Sequence, residues 1–207
     1  MIKVVVFDLW NTLVYNPIRI KEEILKILPL KSEYVQKKLK EWNCEKISNK
    51  EFFNQLTNDK KIIKKLLIKW EEINKNAIVF YEVFEVFEDL KKDTKITLLS
   101  NSTHNSLNIL YKKNLLRFFD KIYLSCDYGL TKPDIKFFKI ILNDFNIDPK
   151  ECMMVGDNEE VDIIPAKEIG IITVLLDREK VKSHIYSDFM INNLKEIRGI
   201  IKRKKDK

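Results

Sequence analysis

Residues 152–176 read CMMVGDNEEVDIIPAKEIGIITVLL, and this stretch decides the fold. Two apolar runs, 152–155 and 171–176, bracket an acidic turn. Between them lies a segment of helical spacing that closes on Gly170, where a helix C-cap belongs. Apolar runs without polar alternation belong to strands covered on both faces, and two such strands joined by a helix lie parallel in one sheet. The pattern repeats upstream. VFEVFEDLKK (83–92) predicts a helix before the strand KITLLS (95–100). HNSLNILYKKN (104–114) predicts one before KIYLS (121–125), and IKFFKIILNDF (135–145) one before CMMVGD. VVVF (4–7) supplies a first strand, and 189–191 a last one before a terminal helix.

Residues 17–77 interrupt this alternation with helical periodicity alone. Ile24, Leu25 and Leu28 form one stripe, Val35, Leu39 and Trp42 a second, and Ile62, Ile63, Leu66, Leu67, Trp70 and Ile73 a third. Pro29 and the polar stretches NCEKISNK and LTNDKK divide the block into three or four helices. The expectation is an α/β chain: a Rossmann-like parallel sheet with helices on both faces (1–15 and 79–207), and a small all-helical domain (16–78) inserted after the first strand. Trp42, Trp70, Phe52 and Phe53 are expected in that insert's own core.

Composition narrows the function classes. The last six residues, KRKKDK, hold five basic residues and one acid, four of the formal net charge of +7, so the remainder is nearly balanced. That tail is expected to fray into solvent, and arginine is scarce elsewhere, so a nucleic-acid partner is not expected. No apolar run approaches the ~20 residues of a membrane span, and no secretory leader pattern opens the chain. Cys44, Cys126 and Cys152 lack CxxC or CxH spacing and are expected to be reduced. A cytoplasmic protein without a membrane partner follows as the expectation.

In an open parallel sheet the ligand lies beyond the carboxyl ends of the strands. The polar residues there are Asp8, Ser100 with Asn101, Asp127 with Lys132 close behind, and Asp157 with Asp162. Each alone reads as a cap or turn former. Together they suit chemistry on a phosphoryl group. Asp8 can attack phosphorus, while Asp8, Asp157 and Asp162 offer hard oxygen ligands for Mg²⁺. Lys132 adds positive charge, and Ser100 and Asn101 offer a hydroxyl and an amide donor.

These residues resemble the four motifs of the haloacid dehalogenase superfamily, in FDLWNTL, LLSNS, KPD and VGDNEEVDIIPAKEIG. The resemblance covers essentially the whole chain, and the helical insert resembles the C1-type cap that selects substrates in that superfamily. It implies Asp8 as nucleophile and metal ligand, Ser100 as phosphate binder, and Lys132 as the residue orienting Asp8 and phosphate. It further implies Asp157 and Asp162 as metal ligands or support, with the backbone carbonyl of Trp10 completing the set. Asn101 and Trp10 are expected beside the substrate, a small phosphorylated molecule.

Trp10 departs from the superfamily's phosphatases, which carry a second Asp there as general acid and base. Indole has no titratable proton near neutral pH. A 2-haloacid dehalogenase needs neither metal nor leaving-group acid, and Arg19 could grip a substrate carboxylate. Asp157 and Phe138 stand against that alternative, since such dehalogenases carry Ser and Tyr there. Two carboxylates beside a nucleophilic Asp repel one another and an anionic substrate unless a cation sits among them, so the expectation is a Mg²⁺-dependent phosphatase. A phosphate-binding protein that has lost turnover is the non-enzymatic alternative. His104 is a candidate replacement for the acid, set against a solvent-facing place at a helix start.

Overall fold

Six parallel strands form one sheet in the order β5-β4-β1-β6-β7-β8 in a computed structural model that describes residues 1–181 and 185–205, the side chains of Lys204 and Lys205 excepted. In chain order, β1 (Val4–Phe7) and a two-residue β2 (Val14–Tyr15) precede four helices. These are α1 (Ile20–Ile27), α2 (Ser32–Trp42), α3 (Asn49–Leu56) and α4 (Lys60–Asn76). Then come β3 (Ile78–Val79), α5 (Val83–Leu90), β4 (Lys95–Ser100), α6 (Asn105–Lys112), β5 (Lys121–Leu124), α7 (Ser125–Tyr128) and α8 (Ile135–Phe145). The chain closes with β6 (Cys152–Gly156), α9 (Ile164–Glu168), β7 (Ile172–Leu176), β8 (Phe189–Ile191) and α10 (Ile197–Lys205).

The side-chain period of two sorts β1 between two cores. Val5 and Phe7 face one cluster, with Phe87, Leu110 and Ile197 from α5, α6 and α10. Val4 and Val6 face the other, with Phe137, Phe138 and Ala166 from α8 and α9. Gly170, at φ 85°, ends the α9 segment as expected, in a left-handed conformation that glycine adopts without a Cβ penalty.

The insert folds around a third cluster built from Ile24, Leu28, Val35, Trp42, Phe52, Phe53, Ile63 and Leu66. Its helix starts lie in the polar breaks. Ser48 and Glu51 form a capping box for α3, and the Asp59 carboxylate accepts from the Lys61 and Ile62 amides at α4. The two crossings between sheet and insert pair with each other, since β2 and β3 form an antiparallel ribbon, Val14 against Val79. On the far side, Lys46 Nζ lies 3.1 Å from Asp127 Oδ1, and the Ser125 hydroxyl donates to the Asn43 carbonyl. The insert therefore sits over the carboxyl ends of β4 and β5.

The tail differs from expectation. Lys202 to Lys205 continue α10 because Ile197, Ile200 and Ile201 anchor that helix in the core; Asp206 and Lys207 of KRKKDK lie outside the described residues. The three cysteines are free, and among the described residues no helix is long and apolar enough to cross a membrane.

Candidate active site

The connection leaving β1 runs to β4 on one side, and the connection leaving β6 runs to β7 on the other. The strand order thus reverses between β1 and β6, and a crevice opens at their carboxyl ends. Asp8 follows β1 directly, and its backbone N–H extends the ladder to Val155 O at 3.0 Å. Asp157 follows β6 in the same way.

Lys132 enters from the loop before α8 and joins the acids. Its Nζ lies 2.6 Å from Asp8 Oδ1 and 2.6 Å from Asp162 Oδ1, with the lysine side chain 1% exposed. Asn101, just past β4, holds this loop. Its Nδ2 donates to Lys132 O at 2.8 Å, and its Oδ1 accepts from Lys132 N at 2.8 Å. Both the N–H and the C=O of the Asn101 side-chain amide thus engage the backbone of Lys132, and Asn101 also lines the cavity beside Trp10.

Asp162 lies in a turn of π-helix (Glu159–Ile163), and its Oδ2 accepts from the Asn158 amide at 3.2 Å. Gly156 makes room for it: a Cβ there would lie 2.5 Å from Asp162 Cγ. The carboxylates of Asp8, Asp157 and Asp162 offer oxygens within 4.8 Å of one another. Burial pushes the Asp8 carboxyl up to about 7, Lys132 opposes the rise, and Asp162 and Asp157 add to it. Burial also works against the Lys132 ammonium, but Asp162 and Asp8 outweigh it and hold the lysine above its usual range.

The remaining expected residues divide. Ser100 is 1% exposed at the end of β4, and its oxygen accepts from the Ser102 hydroxyl at 3.1 Å, which leaves its own proton to donate. Trp10 is half-buried between the sheet-face core and a cavity of about 340 Å³ under the insert. Asp127 stands apart from the acids, because His104 Nε2 lies 2.8 Å from its Oδ1 beside Lys46. His104 is thereby engaged in an exposed contact with Asp127. Phe138 is fully in the core, and Arg19 lines the cavity.

Two residues escape the sequence reading. Asn11 donates to Asp157 Oδ2 at 3.4 Å from a left-handed backbone, φ 58°, which asparagine tolerates better than most residues. Arg178, after β7, donates to Thr12 O at 2.8 Å, pairs with buried Glu82 at 2.6 Å, and stacks on Phe80 at 3.5 Å. It ties the loop after Asp8 to the return crossing from the insert. No motif signals it, since its partners, the Thr12 carbonyl, Glu82 and Phe80, come from segments distant in the chain.

Residues 5–176 match the family described as haloacid dehalogenase-like hydrolase. The chain is 43% identical over 93 residues to a glyceraldehyde 3-phosphate phosphatase of Methanocaldococcus jannaschii, covering 43% of this chain and 41% of that one. It is 30% identical over 163 residues to the protein of the same name in Methanothermobacter thermautotrophicus, covering 73% and 72%. The chain spans about two fifths of the length of the first curated relatives it matches. Among solved structures, a 2-haloacid dehalogenase of Pseudomonas syringae superposes with a TM-score of 0.75 at 20% identity, covering 99% of this chain and 100% of that one. At that identity the likeness speaks for the fold.

Proposed function

The chain belongs to the haloacid dehalogenase-like hydrolases, and from that membership we propose that it is a Mg²⁺-dependent phosphatase acting on a small phosphorylated metabolite, with Asp8 as nucleophile. The observation that carries this reading is the contact of Lys132 with Asp8 and Asp162, at 2.6 Å each, with Asp157 completing the carboxylates at the switch point. The relatives named as glyceraldehyde 3-phosphate phosphatases support a small phosphorylated substrate.

The donor set fits a divalent cation. The carboxylates of Asp8, Asp157 and Asp162 converge, and burial drives Asp8 toward its neutral form, so a cation among them would favour the ionised nucleophile. Hard oxygen donors in that state suit Mg²⁺. Asp8, Asp157, Asp162 and the Trp10 carbonyl would hold the ion, which when bound supplies the positive charge that lets a phosphate dianion approach an ionised Asp8.

The chain's own residues do the rest. Lys132, bonded to Asp8 Oδ1, fixes the plane of the carboxylate. Asp8 attacks phosphorus as the bond to the leaving-group oxygen breaks, and water then hydrolyses the aspartyl phosphate. Ser100 donates its proton to a phosphoryl oxygen, and Asn101 keeps Lys132 in place. Trp10 offers no proton to the leaving group, so acyl, anhydride and aryl phosphates are expected to react faster than alkyl phosphates.

Trp10 is also the observation that favours a second reading, displacement of halide from a 2-haloacid. Asp157 weighs against it, because a metal-free displacement gains nothing from another carboxylate beside Asp8. One assay pair separates the two. We expect p-nitrophenyl phosphate hydrolysis that needs Mg²⁺ and stops with EDTA, and no halide release from 2-haloacids. Halide release in EDTA without phosphatase activity would overturn the proposal.

A further inference from the structure

A second set of metal-ligating side chains gathers at the edge of the sheet, where α6 and α7 begin. His104 directly precedes α6, and Cys126 and Asp127 lie in α7, which follows the edge strand β5. An imidazole nitrogen, the Cys126 sulfur and an Asp127 oxygen lie within 4.8 Å of one another. The chain holds two histidines and three cysteines. One of each meets the same carboxylate, with His104 and Asp127 brought together from 23 residues apart. Ordinary polar contacts account for part of this arrangement, since His104 Nε2 lies 2.8 Å and Lys46 Nζ 3.1 Å from Asp127 Oδ1. Neither contact uses the Cys126 sulfur. Cys126 and His104 line one cavity of about 300 Å³, with Glu45 and Lys46 of the insert on its wall, so an ion and its water have a path to them.

We infer that His104, Cys126 and Asp127 form a metal site separate from the three acids, for a borderline-soft divalent ion of the Zn²⁺ class, with water from the cavity as fourth ligand. Such an ion holds nitrogen, oxygen and sulfur at about 2.0–2.3 Å in a tetrahedron, which sets ligand atoms about 3.3–3.8 Å apart. The contact between His104 and Asp127 has to open by about half an ångström to reach that spacing. Both side chains are partly exposed and free to shift, and Lys46, more exposed still, can turn into solvent. Binding takes the lone pair of His104 Nε2, whose proton moves to Nδ1, and releases the Cys126 thiol proton to solvent. Thiolate and imidazole select Zn²⁺, Co²⁺ or Ni²⁺ over Mg²⁺, whereas Asp8, Asp157 and Asp162 offer oxygen alone. The ion cross-links the segment leaving β4, which carries Ser100, to α7, and takes Asp127 from the insert's Lys46. The inference is independent of the phosphatase reading.

Co²⁺ is the probe, because a thiolate bonded to it gives a near-ultraviolet charge-transfer absorption that oxygen ligands do not give. The full chain is titrated with Co²⁺ in excess Mg²⁺, which competes at the oxygen-only acids. We expect one Co²⁺ per chain with this absorption, displaced by Zn²⁺. Cys126→Ser should abolish the absorption, and His104→Gln and Asp127→Asn should each weaken binding about tenfold or more. Cys44→Ser and Asp157→Asn should leave it unchanged. In excess Mg²⁺, Zn²⁺ should raise the thermal midpoint of the wild type by several degrees and that of His104→Gln by less. His104 and Asp127 are exposed, so their variants test the site even where Cys126→Ser folds poorly. An absent charge-transfer absorption, its survival in Cys126→Ser, or wild-type affinity in His104→Gln would overturn the inference. Loss of the absorption in Asp157→Asn would place the ion among the active-site acids and overturn it as well. No arm reads phosphatase activity, so failure of that reading leaves this test standing.

Discussion

Replacing Trp10 by Asp sets the missing acid against the packing that indole supplies. The loop's backbone does not depend on the ring. Asn11 N donates to Val14 O at 2.7 Å, Leu13 and Val14 N both reach Leu9 O, and Arg178 holds Thr12 O. An Asp therefore inherits the position. Withdrawing a half-buried indole from the sheet-face core destabilises the fold by about 1–3 kcal/mol. General acid–base help is worth about 10²- to 10⁴-fold, which is about 3–5 kcal/mol of barrier. The catalytic gain thus exceeds the stability lost, provided the protein stays folded at assay temperature. The assay is kcat/KM for glycerol 3-phosphate and for p-nitrophenyl phosphate, in the wild type, in Trp10→Asp and in Trp10→Asn, which has the shape without the proton. The alkyl ester should gain 10²-fold or more, the aryl ester far less, and Asn should give neither gain. A folded Trp10→Asp with an unchanged alkyl-to-aryl ratio would refute the reasoning, as would a wild type equally fast on both esters.

Lys132→Met removes the charge between two buried carboxylates, and unpaired buried ions of this kind lower stability by about 3–5 kcal/mol; a urea midpoint corresponding to less than 1 kcal/mol would show that the pair is dispensable. Gly156→Ala drives a methyl into the Asp162 carboxyl. It should lower stability by about 1–3 kcal/mol and raise the Mg²⁺ concentration for half-maximal activity, and an unaltered Mg²⁺ requirement would argue that Asp162 has room to move. In EDTA, Asp8 titrates near 7 when folded against 3.8 unfolded. The folded state then holds a proton that the unfolded chain releases, so this group's contribution is full below the lower value and is lost as pH rises through the upper one. Thermal melts of the wild type relative to Asp8→Asn should show that loss from pH 4 to 7, and saturating Mg²⁺ should abolish it; a flat difference in EDTA contradicts it.

The sheet is legible in the sequence because its strands are predominantly apolar runs flanked by cap or turn residues, so periodicity and punctuation agree. The helices of the insert are legible for the same reason, since Ser48 and Asp59 sit in the polar breaks that mark their boundaries. The ribbon of β2 and β3 is not, because two-residue strands arise only where crossings distant in the chain meet, Val14 with Val79 and Tyr15 with Ile78, and carry no period of their own. The π-turn that presents Asp162 reads as plain helix, since spacing alone does not distinguish one extra residue per turn. Asp8, Lys132, Asp157 and Asp162 stand out because charge at an apolar strand's end is costly to bury without purpose. Asn101 stands out too, but nothing in SNS reveals that its side-chain amide closes on the backbone of Lys132.

The choice between the two displacements turns on charge more than on fold, because the parallel sheet and its insert serve either. Asp8 must be ionised to attack carbon or phosphorus, yet burial and two neighbouring acids push it the other way and Lys132 offsets them incompletely. A halide-displacing site would be improved by deleting Asp157, which removes repulsion from both the nucleophile and an anionic substrate. A site that holds a divalent cation uses the same carboxylate as a ligand, and the repulsion becomes the source of affinity. Asn11 supports that second use, since its amide reaches Asp157 Oδ2 and keeps the carboxylate within range of Asp8 and Asp162. On the phosphatase reading, Trp10 then limits which phosphate can leave rather than whether Asp8 can attack.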